Sequence, residues 1–281
     1  MRLLNIIFCS VCTFVFLCNP TFAKSVKFAV VSDVLYNVTT DKNNKNYTEG
    51  AKALNGFVDR VNENNYDFVV FLGDSINKSN SLNLKSFLNE LDVLNAPYYL
   101  VMGNRDVHKI SGLSKTEYLN IVQENNSAQK KFKNSYVFYP TPEIAVVVLD
   151  NVASGMPSNH GVFTAKTLKW LDETLVKNKN KKVIICQHVP FLAPYDKPSY
   201  ALLDKQEYAA VLKRHKNVLM VLAGHYEQDY AVKDEQDIYH ITVSALCKPP
   251  YTYNEIEVSY QKKLFAKPDK FVIDGNIKPA I

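Results

Sequence analysis

The chain has 281 residues, with 33 Lys and Arg against 28 Asp and Glu, and a formal net charge of +5. The Lys residues are scattered along the chain, which argues against a nucleic-acid-binding surface. Only 9 residues are Gly, and neither a G-x-x-x-x-G-K-S/T phosphate loop nor a serine nucleophile elbow is present. These features exclude P-loop proteins and α/β-hydrolases and leave little room for a dinucleotide-binding fold.

The first 23 residues have the pattern of a secretory signal peptide. Arg2 gives a positive start, residues 3–17 are almost wholly apolar, and Ala23 ends a short segment that suits a cleavage site. We therefore predict cleavage after Ala23 and export to a periplasm or the cell exterior, with no membrane span in the mature chain. An uncleaved N-terminal anchor is the alternative.

The remaining chain, residues 24–281, is long enough to bury the core of a single large domain. Short apolar runs alternate with segments of helical period, which is the pattern of an α/β protein. The runs are rich in Val, Ile and aromatic residues, as buried strands are. They predict strands at 26–31, 68–72, 98–102, 144–149, 183–186 and 218–222.

Two apolar stripes at helical spacing predict outer helices, with Thr48 and Thr164 as their N-caps. The first stripe contains Ala51, Leu54, Val58 and Val61, and the second contains Leu168, Leu171 and Leu175. After Asp229 the pattern changes, because runs such as 239–245 and 255–260 follow one another without a helical segment. The sequence therefore predicts an antiparallel arrangement of strands at the end of the chain.

Polar residues capable of binding a metal follow five of the predicted strands. They form the segments Ser32-Asp33, Gly73-Asp74-Ser75-Ile76-Asn77, Gly103-Asn104-Arg105-Asp106, Gln187-His188-Val189-Pro190 and Gly224-His225-Tyr226-Glu227. Each segment alone is typical of a turn or a helix cap. Ligands of open α/β sheets bind beyond the carboxyl ends of strands, so the five together predict a functional site.

In this order the segments resemble the signature of the calcineurin-like metallophosphoesterase superfamily, which reads D-x-H, G-D-x-x-D/N, G-N-H-D/E, H-x-P and G-H-x-H. The resemblance extends from about residue 26 to residue 245. It implies an α/β fold in which a two-sheet sandwich is flanked by helices, giving four αββα layers. It also implies a dinuclear metal site between the strand ends and hydrolysis of a small phosphorylated substrate, a phosphomonoester or a phosphodiester.

The resemblance assigns a role to each matching residue. Asp74 would bridge two metals, and the second metal would be completed by Asn104, His188 and His225. Two nitrogens, a carboxylate and an amide oxygen suit Mn, Fe or Zn. Asp33 would bind the first metal, and Asn77 and Asp106 would orient neighbouring groups.

The sequence departs from the family signature at two positions that belong to the first metal. Leu35 stands where the family has a His ligand and cannot bind a metal. Glu227 stands where the last motif has its second His, and its carboxylate is still a competent ligand. The first site is therefore either a set of hard oxygen donors from Asp33, Asp74 and Glu227, suited to Mg, Ca or Mn, or it is empty.

A third departure lies at the catalytic motif, where Arg105 and Asp106 occupy the positions of the family's His and acidic residue. Arg has a pKa above about 12, so it does not donate a proton near neutral pH, but it can clamp a phosphate through parallel hydrogen bonds. General acid catalysis contributes roughly 10²- to 10⁴-fold. An enzyme with Arg105 is expected to be slow or to need substrates with good leaving groups, unless His108 replaces the missing donor.

These features predict an exported metallophosphoesterase that uses one or two divalent ions (Mn, Fe, Zn or Mg). The alternative is a catalytically silent relative that binds a phosphorylated ligand or partner through one metal and Arg105. A structural domain without metal is a third reading. Outside the motifs, Cys186 and Cys247 either pair or stay buried as thiols, and the loop at 191–200 either lines a substrate groove or is a rigid surface loop.

Overall fold

The structure is a computed structural model that describes residues 24–38, 45–108, 110–129, 133–153, 158–260 and 271–279. The predicted signal peptide, residues 1–23, lies outside the described residues. Within them, no helix is long and apolar enough to cross a membrane.

The described strands and helices alternate along most of the chain. The strands are β1 (Lys24–Val31), β2 (Phe68–Phe71), β3 (Tyr98–Leu100), β4 (Tyr136–Thr141), β5 (Ile144–Val148), β6 (Lys182–Cys186), β7 (Val218–Ala223), β8 (Tyr230–Lys233), β9 (Tyr239–Thr242), β10 (Thr252–Tyr260) and β11 (Phe271–Pro279). The α-helices are α1 (Lys45–Asn62), α2 (Ser81–Leu91), α3 (Lys115–Asn125), α4 (Ala165–Lys177) and α5 (Lys205–Arg214). Short 3₁₀ helices lie at Ser127–Gln129 and Pro198–Tyr200.

The strands form two mixed sheets. One has the order β11-β10-β1-β2-β3 and the other the order β4-β5-β6-β7-β9-β8. In the first sheet β1, β2 and β3 are parallel, and β10 and β11 add antiparallel strands beside β1. In the second sheet β5, β6, β7 and β9 are parallel, and β4 and β8 are antiparallel edges.

Successive side chains along each strand point alternately into the core between the two sheets and into the core under the helices. In β1, Phe28 points into the core between the two sheets, whereas Ala29 packs under the helices with Phe57 of α1. In the second sheet, Ile184 faces the first sheet and Ile185 packs against α4 and α5. Two sheets with helices outside them confirm the predicted αββα sandwich.

Two predictions about local structure are wrong. Helix α1 begins at Lys45, so Thr48 lies inside the helix and is not its N-cap. The apolar stripe identifies the buried face of a helix and carries no information about where an exposed first turn begins. The end of the chain is also not wholly antiparallel, because β9 pairs in parallel with β7 as well as antiparallel with β8.

Within the residues that the structure describes, Cys186 and Cys247 are both buried free thiols, with no disulfide between them. Cys186 ends β6 within the core between the sheets, and Cys247 belongs to a small apolar cluster near the strand ends. Burial raises the pKa of both thiols.

Thr164 is the N-cap of α4 as predicted, because its side chain accepts a hydrogen bond from the Thr167 N–H at 3.0 Å. We expect Thr164→Ala to lower the free energy of unfolding by about 1 kcal/mol, since it removes the acceptor of an otherwise unpaired helical N–H. Urea denaturation measures the change. Lys169→Ala on the same helix is the control, and an equal loss in both variants would contradict the role of the cap.

Candidate metal centre

The five polar segments meet at one edge of the sandwich, beyond the carboxyl ends of β1, β2, β3, β6 and β7. The side chains of Asp33, Asp74, His188 and His225 are buried there, with exposed fractions of 4% or less. The backbone is unusual at three of them, because Asp33, Asp74 and His225 have φ values of 50°, 50° and 70°. Left-handed backbone at non-Gly residues costs energy and is concentrated at functional sites.

Three of the predicted ligands form a compact cluster. Donor atoms of Asp74, His188 and His225 all lie within 4.8 Å of one another. His188 Nε2 is 3.4 Å from Asp74 Oδ1 and 3.0 Å from the side-chain oxygen of Asn104. The structure therefore brings together the four groups that the sequence assigned to the second metal.

The hydrogen bonds of His188 prepare it to bind a cation. Its Nδ1 is 2.8 Å from the Leu72 carbonyl oxygen, so the Nδ1–H donates there and leaves Nε2 directed at the cluster. Burial lowers the pKa of His188, but the charge and hydrogen bond of Asp74, together with the charge of Asp33 and the hydrogen bond to Leu72, raise the pKa to about 9. The same buried carboxylate that attracts a proton to His188 also attracts a metal ion.

The pKa of His225 is shifted in the opposite direction. Burial, followed by the charge of His188, lowers its pKa to about 3, so its ring is neutral at pH 7. Its Nε2 is buried and has no hydrogen-bond partner among the described residues. A buried nitrogen without a partner costs free energy, and a divalent cation within the cluster would satisfy it. The donor set thus fits a metal ion.

Glycines allow the segments to approach one another closely. Gly73 has a φ of +94°, and a Cβ at this position would lie 2.6 Å from His188 Nδ1. A Cβ at Gly103 would lie 2.0 Å from the Asp74 backbone nitrogen. Neither position tolerates a side chain while the ligands stay in place.

Asp33 and Glu227 lie outside the compact cluster. The Oδ2 of Asp33 accepts hydrogen bonds from the Ser32 hydroxyl at 2.6 Å and from the backbone N–H of His225 at 3.0 Å. Burial is the main cause that raises the pKa of Asp33 to about 7. Glu227 instead pairs with Lys248, a residue that the sequence analysis did not identify.

Asp106 is a positioning residue at this edge of the sheet. It is fully buried, and its carboxylate accepts hydrogen bonds from the Gly103 N–H at 2.8 Å and the Ile76 N–H at 3.1 Å. It therefore ties the segment that carries Asp74 to the segment that carries Asn104. Burial is also the main cause that raises its pKa to about 7.

Arg105 lies at the mouth of the centre. Its backbone N–H donates to Asp74 Oδ1 at 2.7 Å, its Nε is 3.6 Å from Asp74 Oδ2, and its Nη1 donates to Asn77 Oδ1 at 3.3 Å. The side chain is 40% exposed, so the guanidinium is held by Asp74 and Asn77 and still reaches solvent. Asn77 thus orients Arg105, in keeping with its predicted supporting role.

A polar cavity of about 660 Å³ opens beside Arg105. Its lining residues are Asn77, Lys78, Ser79, Asn80, Asn104, Arg105, Val107, His108, Ser111, Ser158 and Asn159. The Nδ1 of His108 is 3.1 Å from the Ser111 N–H group and 3.0 Å from the Ser111 hydroxyl. The lining is dominated by amides, hydroxyls and cations, which suits a hydrophilic anion.

Aromatic side chains from the loop at 191–200 lie beside His225 and Tyr226. The Tyr200 ring is 4.7 Å from the His225 ring, and the Tyr195 ring is 5.1 Å from the Tyr226 ring, both between centroids. Lys197 Nζ lies 3.3 Å from the centroid of the Tyr200 ring. The loop therefore lies next to His225, a position that is compatible with lining a substrate groove, which is one of its two predicted roles.

Mn²⁺ binding at this centre is expected to tighten as the pH rises from about 6 to about 8. His188, with a pKa of about 9, is protonated over this range and must release that proton to bind a cation, whereas His225 is already neutral. Each competing proton weakens the affinity by up to about tenfold per pH unit below its pKa. Titration calorimetry at several pH values measures the slope, and a pH-independent affinity would contradict this assignment.

Comparisons with known proteins agree with the geometry. Residues 26–226 match the model of the calcineurin-like phosphoesterase family. A manganese-dependent ADP-ribose/CDP-alcohol diphosphatase of Arabidopsis thaliana is 26% identical over 84% of this chain and 92% of its own length. A probable cyclic nucleotide phosphodiesterase of Moraxella catarrhalis is 29% identical over 58% of this chain and 59% of its own length.

Solved structures show the same fold. The structure of a dimetal phosphatase from Danio rerio has a TM-score of 0.67 at 20% identity and covers 88% of this chain and 98% of that one. The structure of GAP50, the anchor in the inner membrane complex of Plasmodium, has a TM-score of 0.57 at 17% identity and covers 84% of both chains.

Proposed function

The chain belongs to the calcineurin-like phosphoesterase family, and from this premise we propose that it hydrolyses a phosphoric ester or diphosphate of a small molecule. The supporting observation is the cluster formed by Asp74, His188 and His225, together with the buried His225 Nε2, which has no hydrogen-bond partner in the part of the chain that the structure describes. Together with Asn104 these residues would hold a divalent ion. Such an ion supplies Lewis-acid stabilisation of the phosphoryl oxygens.

Arg105 favours one class of substrate within this function. Its guanidinium, held beside Asp74, can clamp phosphoryl oxygens but cannot protonate a leaving group. A leaving alkoxide needs a proton, whereas the phosphate released from a diphosphate has its second pKa near about 6 and departs without one. The proposed substrates are therefore diphosphates, or diesters with a weakly basic leaving group.

The cavity beside the centre supports an anionic substrate with a polar body. Arg105 and Lys78 supply positive charge, and the amides and hydroxyls around them supply hydrogen bonds. The names of the similar diphosphatase and phosphodiesterase also point to nucleotide-derived substrates. We propose a nucleoside diphosphate linked to a sugar or an alcohol as the substrate class.

The test compares substrates that differ in their leaving group. The purified protein with Mn²⁺ is incubated with ADP-ribose, a CDP-alcohol, bis(p-nitrophenyl) phosphate and glycerol phosphate, and the products are separated by chromatography. We expect cleavage of the first three and little of the alkyl monoester. Faster cleavage of glycerol phosphate than of ADP-ribose would contradict the proposed role of Arg105.

A second candidate is a protein that binds a phosphorylated ligand without hydrolysing it. It is favoured by Leu35 and Arg105, which replace a metal ligand and the proton donor of the family signature. Calorimetry of ADP-ribose with the Mn²⁺-loaded protein separates the candidates. Saturable binding with no product after prolonged incubation would support the silent protein.

We further propose that the protein is exported. The support is the N-terminal pattern of Arg2, the apolar run at 3–17 and the small residue Ala23. Expression of the full chain in a bacterial host, followed by N-terminal sequencing of periplasmic material, is expected to give Lys24 as the first residue. Retention of the uncleaved chain in the cytoplasm would contradict this proposal.

A further inference from the structure

The structure fills the half of the centre around Asp33 with residues from the segment that follows β9. This segment runs alongside Ser32 and Asp33, since Ala245 forms a β-bridge with Ser32 and the Leu246 N–H donates to the Ser32 carbonyl oxygen at 2.9 Å. Next to Asp33, the Cys247 N–H donates to the Asp33 carbonyl oxygen at 3.5 Å. Lys248, the next residue, therefore lies on this side of the centre.

Leu35 contributes no metal donor to this half of the centre. Its side chain is 3% exposed and packs in one apolar cluster with Ala245 and Cys247. Leu35 offers a metal ion neither a charge nor a lone pair, so the ligands that the family resemblance leaves in this half are the carboxylates of Asp33, Asp74 and Glu227. The packing of Leu35 also holds the backbone that precedes Lys248.

Lys248 supplies a positive charge beside those carboxylates. Its Nζ pairs with the carboxylate of Glu227. Lys248 also directly follows Cys247, whose backbone N–H contacts the Asp33 carbonyl oxygen, so its ammonium places a positive charge next to the segment that carries Asp33.

The charges of the centre are consistent with one divalent ion and one ammonium group. Asp74 belongs to the cluster with His188 and His225, whereas Asp33 and Glu227 do not. Buried carboxylates need compensating charge. Lys248 gives that charge to Asp33 and Glu227 where a second ion would otherwise be needed.

We propose that Lys248 takes the place of a second metal ion, so that the protein binds a single divalent ion and uses the Lys248 ammonium as a phosphate-binding group beside it. This inference rests on the metal centre of the proposed function. It adds Lys248 to the substrate-binding residues and assigns Glu227 the role of holding Lys248. The 45% exposure of the Lys248 side chain leaves the ammonium accessible to a ligand.

The first readout is the number of ions bound. Equilibrium dialysis of the purified protein against Mn²⁺, followed by elemental analysis, is expected to give one ion per chain. Two ions bound with similar affinity would overturn the inference, because Asp33 and Glu227 would then be metal ligands. No bound ion at all would refute the metal centre itself, and with it the proposed function.

The second readout is the affinity of the Mn²⁺-loaded protein for inorganic phosphate. Lys248→Met is expected to weaken phosphate binding by about tenfold or more, which is the size of one lost charge-assisted hydrogen bond. Lys248→Arg keeps the charge and is expected to retain the affinity within about threefold. A Lys248→Met variant that binds phosphate as tightly as the wild type would overturn the inference.

Lys233→Met is the matched control. Lys233 is also 45% exposed and also forms a carboxylate pair, with Asp237 at 2.9 Å, but it lies on the edge strand β8. Its replacement is expected to leave phosphate affinity unchanged, and an equal loss in both variants would overturn the inference. These readouts need no turnover, so an inactive protein that binds one ion and needs Lys248 for phosphate would refute the hydrolytic function alone.

Discussion

Replacing His188 by Ala is expected to weaken Mn²⁺ binding by more than about 100-fold and to abolish metal-dependent turnover. Loss of a residue that merely supports a ligand typically costs about 10- to 100-fold in metal affinity, and His188 is itself a ligand in this assignment. Its Nε2 lies 3.4 Å from Asp74 Oδ1 and 3.0 Å from Asn104 Oδ1, so its removal takes away a donor that contacts both of these ligands.

The measurement is a Mn²⁺ titration of both proteins, with turnover recorded on the same samples. His215→Ala is the control, because His215 pairs with Asp172 at 2.7 Å and lies outside the metal cluster. The control is expected to bind Mn²⁺ within about twofold of the wild type, as distant substitutions do. Equal Mn²⁺ affinity in His188→Ala and wild type would contradict the assignment of the centre.

Replacing Arg105 by His is expected to change the dependence of the rate on the leaving group. The family resemblance places a proton-donating His at this position, and general acid catalysis contributes roughly 10²- to 10⁴-fold when the leaving group is basic. We expect the ratio of turnover on an alkyl ester to turnover on a p-nitrophenyl ester to rise by about 100-fold in Arg105→His. If the missing guanidinium lowers turnover on both esters equally, the ratio does not change, so the ratio reports the leaving-group effect alone.

A series of aryl and alkyl phosphate esters gives this result as the slope of log rate against leaving-group pKa. The slope is expected to be steep in the wild type and shallow in Arg105→His. Arg214→His is the control, since Arg214 is an exposed residue paired with Asp172. An identical slope in wild type and Arg105→His would contradict the account of Arg105.

The layered fold could be predicted from the sequence because the buried faces of strands and helices place apolar residues at regular spacings. The run at 144–149 and the stripe of Leu168, Leu171 and Leu175 predicted a strand and a helix that the structure confirms. Strand pairing was less accessible, since the same pattern in β9 is compatible with parallel and antiparallel neighbours. The start of α1 at Lys45 likewise lies in an exposed turn that apolar spacing does not specify.

The metal cluster could be predicted from the sequence for a different reason. Asp74, His188 and His225 each follow a buried strand, and the carboxyl ends of those strands meet at one edge of the sandwich. Lys248 lies beyond the last motif and reaches the centre through the backbone contacts of the segment 245–247 with Ser32 and Asp33. Such long-range contacts have no signature in local spacing, so the sequence showed the loss at Leu35 but not the nearby cation.

Turnover of bis(p-nitrophenyl) phosphate by the purified protein shows whether this centre hydrolyses phosphoric esters. The rate is measured with Mn²⁺, after EDTA treatment, and after Mn²⁺ is restored. We expect hydrolysis that EDTA removes and Mn²⁺ recovers. A protein that binds Mn²⁺ yet cleaves neither this ester nor ADP-ribose would contradict this expectation and would favour a silent phosphate-binding relative.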